Sequence, residues 1–197
     1  MKKIILDLCG GTGAWSKPYA EKGYDVRNIT LPDYNVRTYE PPENVYGILA
    51  APPCPMFSFC RTNAKKPRNL REGMEIVIAC LKIIWECQYG LSRDTAKKSN
   101  LKFWVLENPH GMLSWFLGHP VTSFNPYDFG DNYKKRTCLW GYFNIPVKQL
   151  VFCEEPPKFD GLKTREVHGE FYGKFDRQTR RAITPSGFAK AFFEANP

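Results

Sequence analysis

The sequence predicts an α/β fold in which a mainly parallel sheet is covered by helices on both faces. A strand-like run at residues 4–8 leads into a glycine-rich turn and then a helix, which is the order of a βαβ unit. Further apolar runs alternate with helical patterns along the chain, as is typical of parallel sheets. A length of 197 residues with 43% hydrophobic residues suits one globular domain with its own core.

The individual elements follow from the positions of apolar runs and chain breakers. A helix is predicted over residues 16–22 because Gly23 supplies a stop. A buried crossover helix is predicted over residues 72–91, where apolar residues such as Ile78 and Trp85 cover more than one face. The remaining predictions are strands at 2–8, 24–30, 45–49, 101–106, 122–125 and 136–143, a short helix at 113–117, and a closing helix at 185–193 capped by Thr184 or Ser186.

Composition indicates the class of partner and the compartment. The net charge of +8 favours a polyanionic partner, although a merely basic, soluble protein fits the charge as well. The 7 cysteines are odd in number and contain no Cys-x-x-Cys pair, which predicts free thiols in a reducing cytoplasm and no zinc knuckle. No apolar run approaches the ~20 residues of a membrane span, and Asp7 interrupts the N-terminal run too early for a signal peptide.

The turn after the first strand is a candidate ligand site. A glycine-rich turn between a strand and a helix lets a ligand approach backbone N–H groups. Gly11-x-Gly13 matches only part of the dinucleotide fingerprint, because Trp15 and Ser16 occupy the positions where a third glycine is expected. The acidic Asp7 just before the turn instead suits a ligand with a positively charged amino group.

Cys54 is a candidate nucleophile. The apolar strand at 45–49 is stopped by Pro52 and Pro53, because proline has no N–H for the ladder and restricts the preceding residue. A thiol presented in such a rigid turn suits nucleophilic chemistry, although a buried structural thiol is the alternative. Glu107 ends the strand at 101–106, where open α/β sheets bind ligands; a surface carboxylate is equally compatible with that position.

Taken together, these segments resemble the DNA cytosine-C5 methyltransferases. Residues 7–13 (Asp-Leu-Cys-Gly-Gly-Thr-Gly) are similar to the family's cofactor-binding turn, and residues 52–58 (Pro-Pro-Cys-Pro-Met-Phe-Ser) to its nucleophile motif. Residues 107–109 (Glu-Asn-Pro) resemble its Glu-Asn-Val, and residues 132–136 (Asn-Tyr-Lys-Lys-Arg) a drifted Gln-x-Arg-x-Arg. Arg71-Glu72-Gly73 with Leu70 resembles the Arg-Gly that opens the following helix. The motifs occur in the family's order over residues 4–141.

The resemblance implies a Rossmann-like, S-adenosylmethionine (SAM)-dependent methyltransferase fold and a covalent mechanism. Cys54 would add to C6 of cytosine, which makes C5 nucleophilic enough to accept a methyl group. Glu107 would hold a proton at N3. Arg136 would bind the base O2, and Lys134 stands where a second arginine supports the site. The residues implied to hold SAM are Asp7, Leu8, Cys9, Gly10, Gly11, Thr12, Gly13, Trp15, Thr30, Asn35 and Pro52.

The implied partner is double-stranded DNA with the target base flipped out, in the cytoplasm of a bacterium or a phage-infected cell. The basic stretch 61–71, otherwise a solvated linker, would contact phosphates. The residues expected to bind nucleic acid are Ser58, Arg61, Lys65, Lys66, Arg68, Arg71, Lys174 and Arg177. The domain organisation expected is a catalytic domain at 1–147, a reduced basic target-recognition segment at 148–181, and a C-terminal helix at 182–197 that packs back, as in compact phage-like forms.

Several positions depart from the family pattern and leave alternatives open. Cys9 replaces a phenylalanine, Thr30 an acid that grips the cofactor ribose (Asp33 is a nearby substitute), and Asn35 an aspartate at the adenine. Two further substitutions are Pro55 and Asn132, each in place of a glutamine. The same chemistry on RNA is one alternative, and an inactive module that binds SAM and nucleic acid is another. Amino-group methylation fits less well, because a cysteine stands where that chemistry needs an aromatic residue.

Overall fold

The computed structural model describes residues 2–61, 64–90, 99–149, 175 and 177–197. The strands are β1 (Ile4–Leu8), β2 (Asp25–Ile29), β3 (Val45–Ala50), β4 (Phe103–Pro109), β5 (Thr122–Phe124) and β6 (Thr137–Tyr142). The helices are α1 (Lys17–Glu21), α2 (Leu70–Tyr89), α3 (Ser114–Leu117), α4 (Arg177–Ala182) and α5 (Ser186–Ala195), with a 3-10 turn at Pro126–Phe129.

The strands form one six-stranded mixed sheet in the order β2-β1-β3-β4-β6-β5. The pairs β1–β2, β1–β3 and β3–β4 are parallel, whereas β6 runs antiparallel to both β4 and β5. The prediction of an α/β fold is therefore confirmed, but a mainly parallel sheet describes only the first four strands. Because β2 and β3 flank β1 on opposite sides, the strand order reverses there, and such a reversal opens a crevice at the carboxyl ends of the strands.

Helices cover both faces of the sheet, and the period of two along β1 divides the core between them. Leu6 and Leu8 are fully buried in a cluster with Cys80 and Ile84 of α2. Ile5, which points to the other face, is buried in a second cluster. That second cluster contains Trp15 and Tyr19 from the first helical region and Phe188, Ala189 and Phe192 from α5.

The α2 helix has well-defined ends. The side chain of Asn69 accepts a hydrogen bond from the backbone N–H of Glu72 at 3.1 Å, and the helix stops at Gly90, which has a φ of 74°. The predicted burial on more than one face is wrong for part of the helix, since Ile78 is 40% and Trp85 49% exposed. The helix is amphipathic because it covers one face of the sheet and turns the other side to solvent.

The closing helix α5 begins at Ser186 after Pro185. The prediction of a cap from Thr184 or Ser186 is wrong, because Pro185 occupies the cap position and no side chain caps the helix. Among the described helices, none combines the length and the apolar character required to cross a bilayer.

Candidate active site

A small, partly open cavity of about 90 Å³ lies at the carboxyl ends of β1, β3 and β4. Turns that follow β1 and β3 and the last residues of β4 form most of its wall. The end of α4 and the connection to α5 complete it, through Thr179, Ala182, Ile183 and Thr184. The predicted site residues that line this cavity are Asp7, Cys9, Gly10, Gly11, Thr12, Trp15, Pro52, Cys54 and Glu107.

Two buried polar atoms in this cavity have no hydrogen-bond partner. Asp7 is fully buried, and its Oδ2 accepts a hydrogen bond from Ser16 Oγ at 2.6 Å, but its Oδ1 has no partner. The indole Nε1 of Trp15 is also unpartnered. Burial raises the pKa of Asp7 from 3.8 to about 6, against the hydrogen bonds from Ser16. An orphan acceptor and an orphan donor on two residues that line the same cavity are consistent with a ligand that carries a donor and an acceptor.

The turn after β1 closely surrounds the Asp7 carboxyl group. A Cβ added to Gly10 would lie 2.3 Å from Cγ of Asp7, so only glycine fits there. Cys9 has a φ of 58°, a left-handed conformation that is uncommon for non-glycine residues. Its N–H donates to the carbonyl of Ile29 at 2.8 Å, and Asn28 Nδ2 donates to the carbonyl of Gly11 at 3.0 Å. The loop is thereby held against the end of β2.

Cys54 lies in a compact turn after β3. Its carbonyl accepts hydrogen bonds from the N–H groups of Phe57 and Ser58, each at 3.0 Å. The guanidinium of Arg68 donates to the carbonyls of Met56 at 2.9 Å and Ser58 at 2.8 Å. Arg68 thus braces the turn that carries the thiol. The role predicted for Arg68 was phosphate binding. In the structure its guanidinium instead donates hydrogen bonds to backbone carbonyls.

The Cys54 thiol and the Glu107 carboxyl share one electrostatic environment. Burial raises the pKa of the Cys54 thiol, Lys135 opposes that rise, and the Glu107 charge adds to it. Burial also raises the pKa of Glu107, again against Lys135. Asn108 Nδ2 donates to the carbonyl of Pro52 at 2.9 Å, which ties the end of β4 to the turn before Cys54.

The cation at the cavity is Lys135, not Arg136. Lys135 lines the cavity and its Nζ donates to the carbonyl of Arg181 at 2.5 Å, whereas Arg136 is exposed. The register of β6 explains the difference, because Leu139 pairs with Glu107 and side chains alternate between faces. Odd-numbered residues before Leu139 therefore continue on the Glu107 face. The side-chain positions of Arg136 and Lys134 lie outside the cavity lining, which differs from the placement the motif predicted.

The other predicted cofactor residues do not line the cavity. Leu8 belongs to the core on the α2 face of the sheet. Gly13, Thr30 and Asn35 lie outside the cavity lining. The side-chain oxygen of Asn35 accepts a hydrogen bond from the N–H of Arg37 at 3.0 Å, which closes a local turn.

Of the residues expected to bind nucleic acid, those between 58 and 71 follow Cys54 along the chain. Lys65, Lys66 and Arg71 are exposed, and Ser58 and Arg61 are half-buried. Lys174 and the side chain of Arg177 lie outside the described residues, as does most of the predicted recognition segment at 148–181.

Sequence reasoning missed Lys135 and the contribution of residues 179–184. Lys135 is the middle residue of a basic triplet, and only the strand register distinguishes it from its neighbours. The residues from the α4 region carry no motif, so nothing local could have indicated that they reach Cys54.

Comparisons with known proteins leave the family open. No family model matches the chain, and no curated protein matches it. In the described residues, no group of three or more His, Cys, Asp or Glu side chains is arranged to hold a metal ion.

Proposed function

We propose that this protein is a SAM-dependent methyltransferase that modifies C5 of cytosine in DNA through a covalent bond from Cys54 to C6 of a flipped-out base. The observation that carries this proposal is the meeting of Cys54, Glu107 and Asp7 at one cavity on the carboxyl edge of the sheet. A nucleophilic thiol, a carboxyl group with a raised pKa, and a buried carboxylate for a cationic ligand are the parts that this reaction requires.

The polar groups of the cavity fit the amino-acid end of SAM. Asp7 Oδ1 would accept from its ammonium group, and Trp15 Nε1 would donate to its carboxylate; both atoms are buried without a partner in the structure. The reversal of strand order at β1, which favours ligand binding at this edge, supports a Rossmann-like cofactor site. SAM supplies an electrophilic methyl group when bound.

The size of the cavity requires a change before ligands enter. Ligand pockets usually enclose roughly 300–1,000 Å³, and this cavity holds about 90 Å³. The segment 179–184 contributes Thr179, Ala182, Ile183 and Thr184 to its lining, and the hydrogen bond from Lys135 Nζ to the carbonyl of Arg181 connects this segment to the site. We infer that this segment moves aside when the cofactor and the base bind.

Lys135 is suited to assist the thiol. A thiolate is the reactive nucleophile, and a nearby cation stabilises it. The positive charge of Lys135 lowers the pKa of Cys54 against the effect of burial. In the proposed reaction Lys135 therefore stabilises the Cys54 thiolate. The resemblance had assigned this role to no residue of the 132–136 motif.

Glu107 is suited to supply a proton. Addition of the thiolate to C6 places negative charge on the ring, and an acid at N3 relieves it. Because burial raises the pKa of Glu107, this carboxyl retains its proton to a higher pH than an ordinary glutamic acid. After methyl transfer a base removes the C5 proton, the bond between Cys54 and C6 breaks, and the thiolate is restored.

Covalent trapping tests the proposal. Wild type, Cys54→Ala and Cys60→Ala are incubated with SAM and an oligonucleotide that contains 5-fluorocytosine, either single-stranded or paired with its complement, and denaturing gels report any complex that survives. Cys60 is an exposed thiol six residues from Cys54 and serves as the matched control. We expect a trapped band for wild type and Cys60→Ala and none for Cys54→Ala, because fluorine at C5 prevents release of the enzyme.

The other outcomes separate the remaining functions. A band with 5-fluorocytosine RNA and none with DNA would assign the same chemistry to RNA. Loss of the band in Cys60→Ala but not in Cys54→Ala would contradict the assignment of the nucleophile. No band with either nucleic acid, together with measurable SAM binding, would leave a binding module in place of an enzyme.

A further inference from the structure

Three exposed rings form a continuous surface beside the cavity, called here the aromatic platform: Phe59, His110 and Trp115. Phe59 lies 5.5 Å from His110 and 6.1 Å from Trp115, measured between ring centroids. Phe59 is 44% and Trp115 68% exposed, and His110 is also exposed. The platform is linked to the Cys54 cavity along the chain, because Phe59 lies five residues after Cys54 and His110 follows Pro109, and both Cys54 and Pro109 line the cavity.

The loop that carries Phe59 is fixed to the segment that leads from His110 into α3, the helix that carries Trp115. The N–H of Met112 donates to the carbonyl of Phe57 at 2.9 Å, and Ser58 forms an isolated bridge with Gly111. A Cβ added to Gly111 would lie 2.3 Å from the carbonyl oxygen of Phe57, so the close backbone approach requires glycine there. The rings are therefore presented on a preorganised backbone, which lowers the entropic cost of binding.

The stretches of sequence that carry the platform contain basic residues and no acidic ones. Residues 55–71 contain five basic residues and no acidic residue, and residues 108–127 contain no acidic residue either. Lys65, Lys66 and Arg71 in this stretch are exposed. Exposed aromatic rings in a basic stretch of the chain match an unpaired polynucleotide, whose bases stack on rings while its phosphates contact lysine and arginine.

We propose that the aromatic platform binds unpaired nucleotides of a single strand that flank the base entering the Cys54 cavity. The inference deepens the proposed function, on which it rests for the identity of the cavity, and it names single-stranded nucleic acid as the preferred form of the substrate. Stacking is tolerant of sequence because every base has a π-face. Recognition at the platform would therefore distinguish single-stranded from double-stranded nucleic acid and would not depend on the nucleotide sequence.

The experiment measures binding without catalysis. Fluorescence anisotropy of a labelled 12-nucleotide oligodeoxycytidylate, single-stranded or paired with its complement, is recorded without SAM for wild type, Trp115→Ala, Phe59→Ala and Trp115→Phe. Trp85→Ala is the matched control, since Trp85 is a 49% exposed tryptophan on α2. We expect Trp115→Ala and Phe59→Ala to weaken single-strand binding by about tenfold, the range found for a lost base–aromatic stack.

Four further readouts make the stacking role specific. Duplex affinity should change less than about twofold in the alanine variants, Trp115→Phe should bind the single strand nearly as wild type does, and Trp85→Ala should be unaffected. The slope of affinity against salt should be unchanged in Trp115→Ala, because no phosphate contact is removed. Circular dichroism verifies folding of each variant, and Phe59→Ala provides the test if Trp115→Ala does not fold.

Unchanged single-strand affinity in both alanine variants would overturn the proposal, as would an equal loss in Trp85→Ala. Loss of self-association in sedimentation, with oligonucleotide binding intact, would overturn it in favour of an interface between two copies of the chain. The trapping experiment fails independently of this one. Platform-dependent binding without a trapped complex would contradict only the proposed reaction. A trapped complex without platform-dependent binding would contradict only the proposed role of the platform.

Discussion

Asp7 couples the stability of the fold to pH. Its pKa is raised from 3.8 to about 6 by burial, so the folded state holds a proton that the unfolded chain has released over this range. The stabilising effect is complete below pH 3.8 and is lost as the pH rises through 6. At about 1.4 kcal/mol per pKa unit, the loss amounts to about 3 kcal/mol for this fully buried group.

We expect Asp7→Asn to remove this loss. The free energy of unfolding of each protein is measured with urea at pH 4 and at pH 7. Relative to Asp7→Asn, wild type should lose about 3 kcal/mol of stability between these two pH values. If SAM binds at Asp7 as proposed, its ammonium group favours the ionised carboxylate, and added SAM should offset the loss in wild type only. A pH-independent difference between the two proteins would contradict this assignment.

Lys135 should control the reactivity of the Cys54 thiol. Its charge lowers the pKa of Cys54, so Lys135→Met should slow the alkylation of Cys54 by iodoacetamide near neutral pH and move the reaction to higher pH. Peptide mapping by mass spectrometry follows Cys54 separately from the other cysteines. Arg136→Met is the matched control, because Arg136 is exposed and outside the cavity lining. Equal slowing in both variants would favour the placement that the motif predicted.

At the scale of elements, the loop after Cys54 depends on Arg68. Its guanidinium donates to the carbonyls of Met56 and Ser58, so the side chain supports the Cys54 turn from the segment just before α2. A bidentate fork of this kind is not reproduced by lysine.

We expect Arg68→Ala and Arg68→Lys to lower kcat in a tritium-based methylation assay more than they raise KM for DNA, because a displaced thiol affects the chemical step. Lys66→Ala should show the opposite pattern, with weaker DNA binding and a smaller salt slope, since Lys66 is exposed. If Arg68→Ala reduced the salt slope and left kcat unchanged, Arg68 would be a phosphate contact instead of a brace.

At the scale of the whole molecule, α5 joins the end of the chain to the candidate site. Phe192 is fully buried, with ring centroids 5.6 Å from Trp15, 5.9 Å from Phe103 and 5.8 Å from Phe188. Trp15 in turn lines the cavity. The packing of α5 therefore supports one wall of the site as well as the core.

Phe192→Ala should lower the free energy of unfolding by about 3–5 kcal/mol, as expected for truncating a fully buried phenylalanine. Urea denaturation measures the loss. Lys190→Ala on the same helix is the control, because its side chain is 75% exposed and its replacement should change stability by less than about 0.5 kcal/mol. A loss below about 1 kcal/mol for Phe192→Ala would mean that α5 is not part of the cooperative core.

Local chemistry was sufficient to predict the six strands and most of the helices, but not α4, and the resemblance to the methyltransferases supplied the centre of the site. Apolar runs ended by glycine or proline determine strands and helices within a few residues, and parallel strands share one carboxyl edge, so Asp7, Cys54 and Glu107 were expected to converge. Only the tertiary structure decided that Lys135 and not Arg136 faces the thiol, because a shift of one residue in register exchanges the two faces of a strand. It also decided that residues 179–184 close the cavity more than a hundred positions after Cys54, since such contacts depend on how distant segments pack and leave no local pattern.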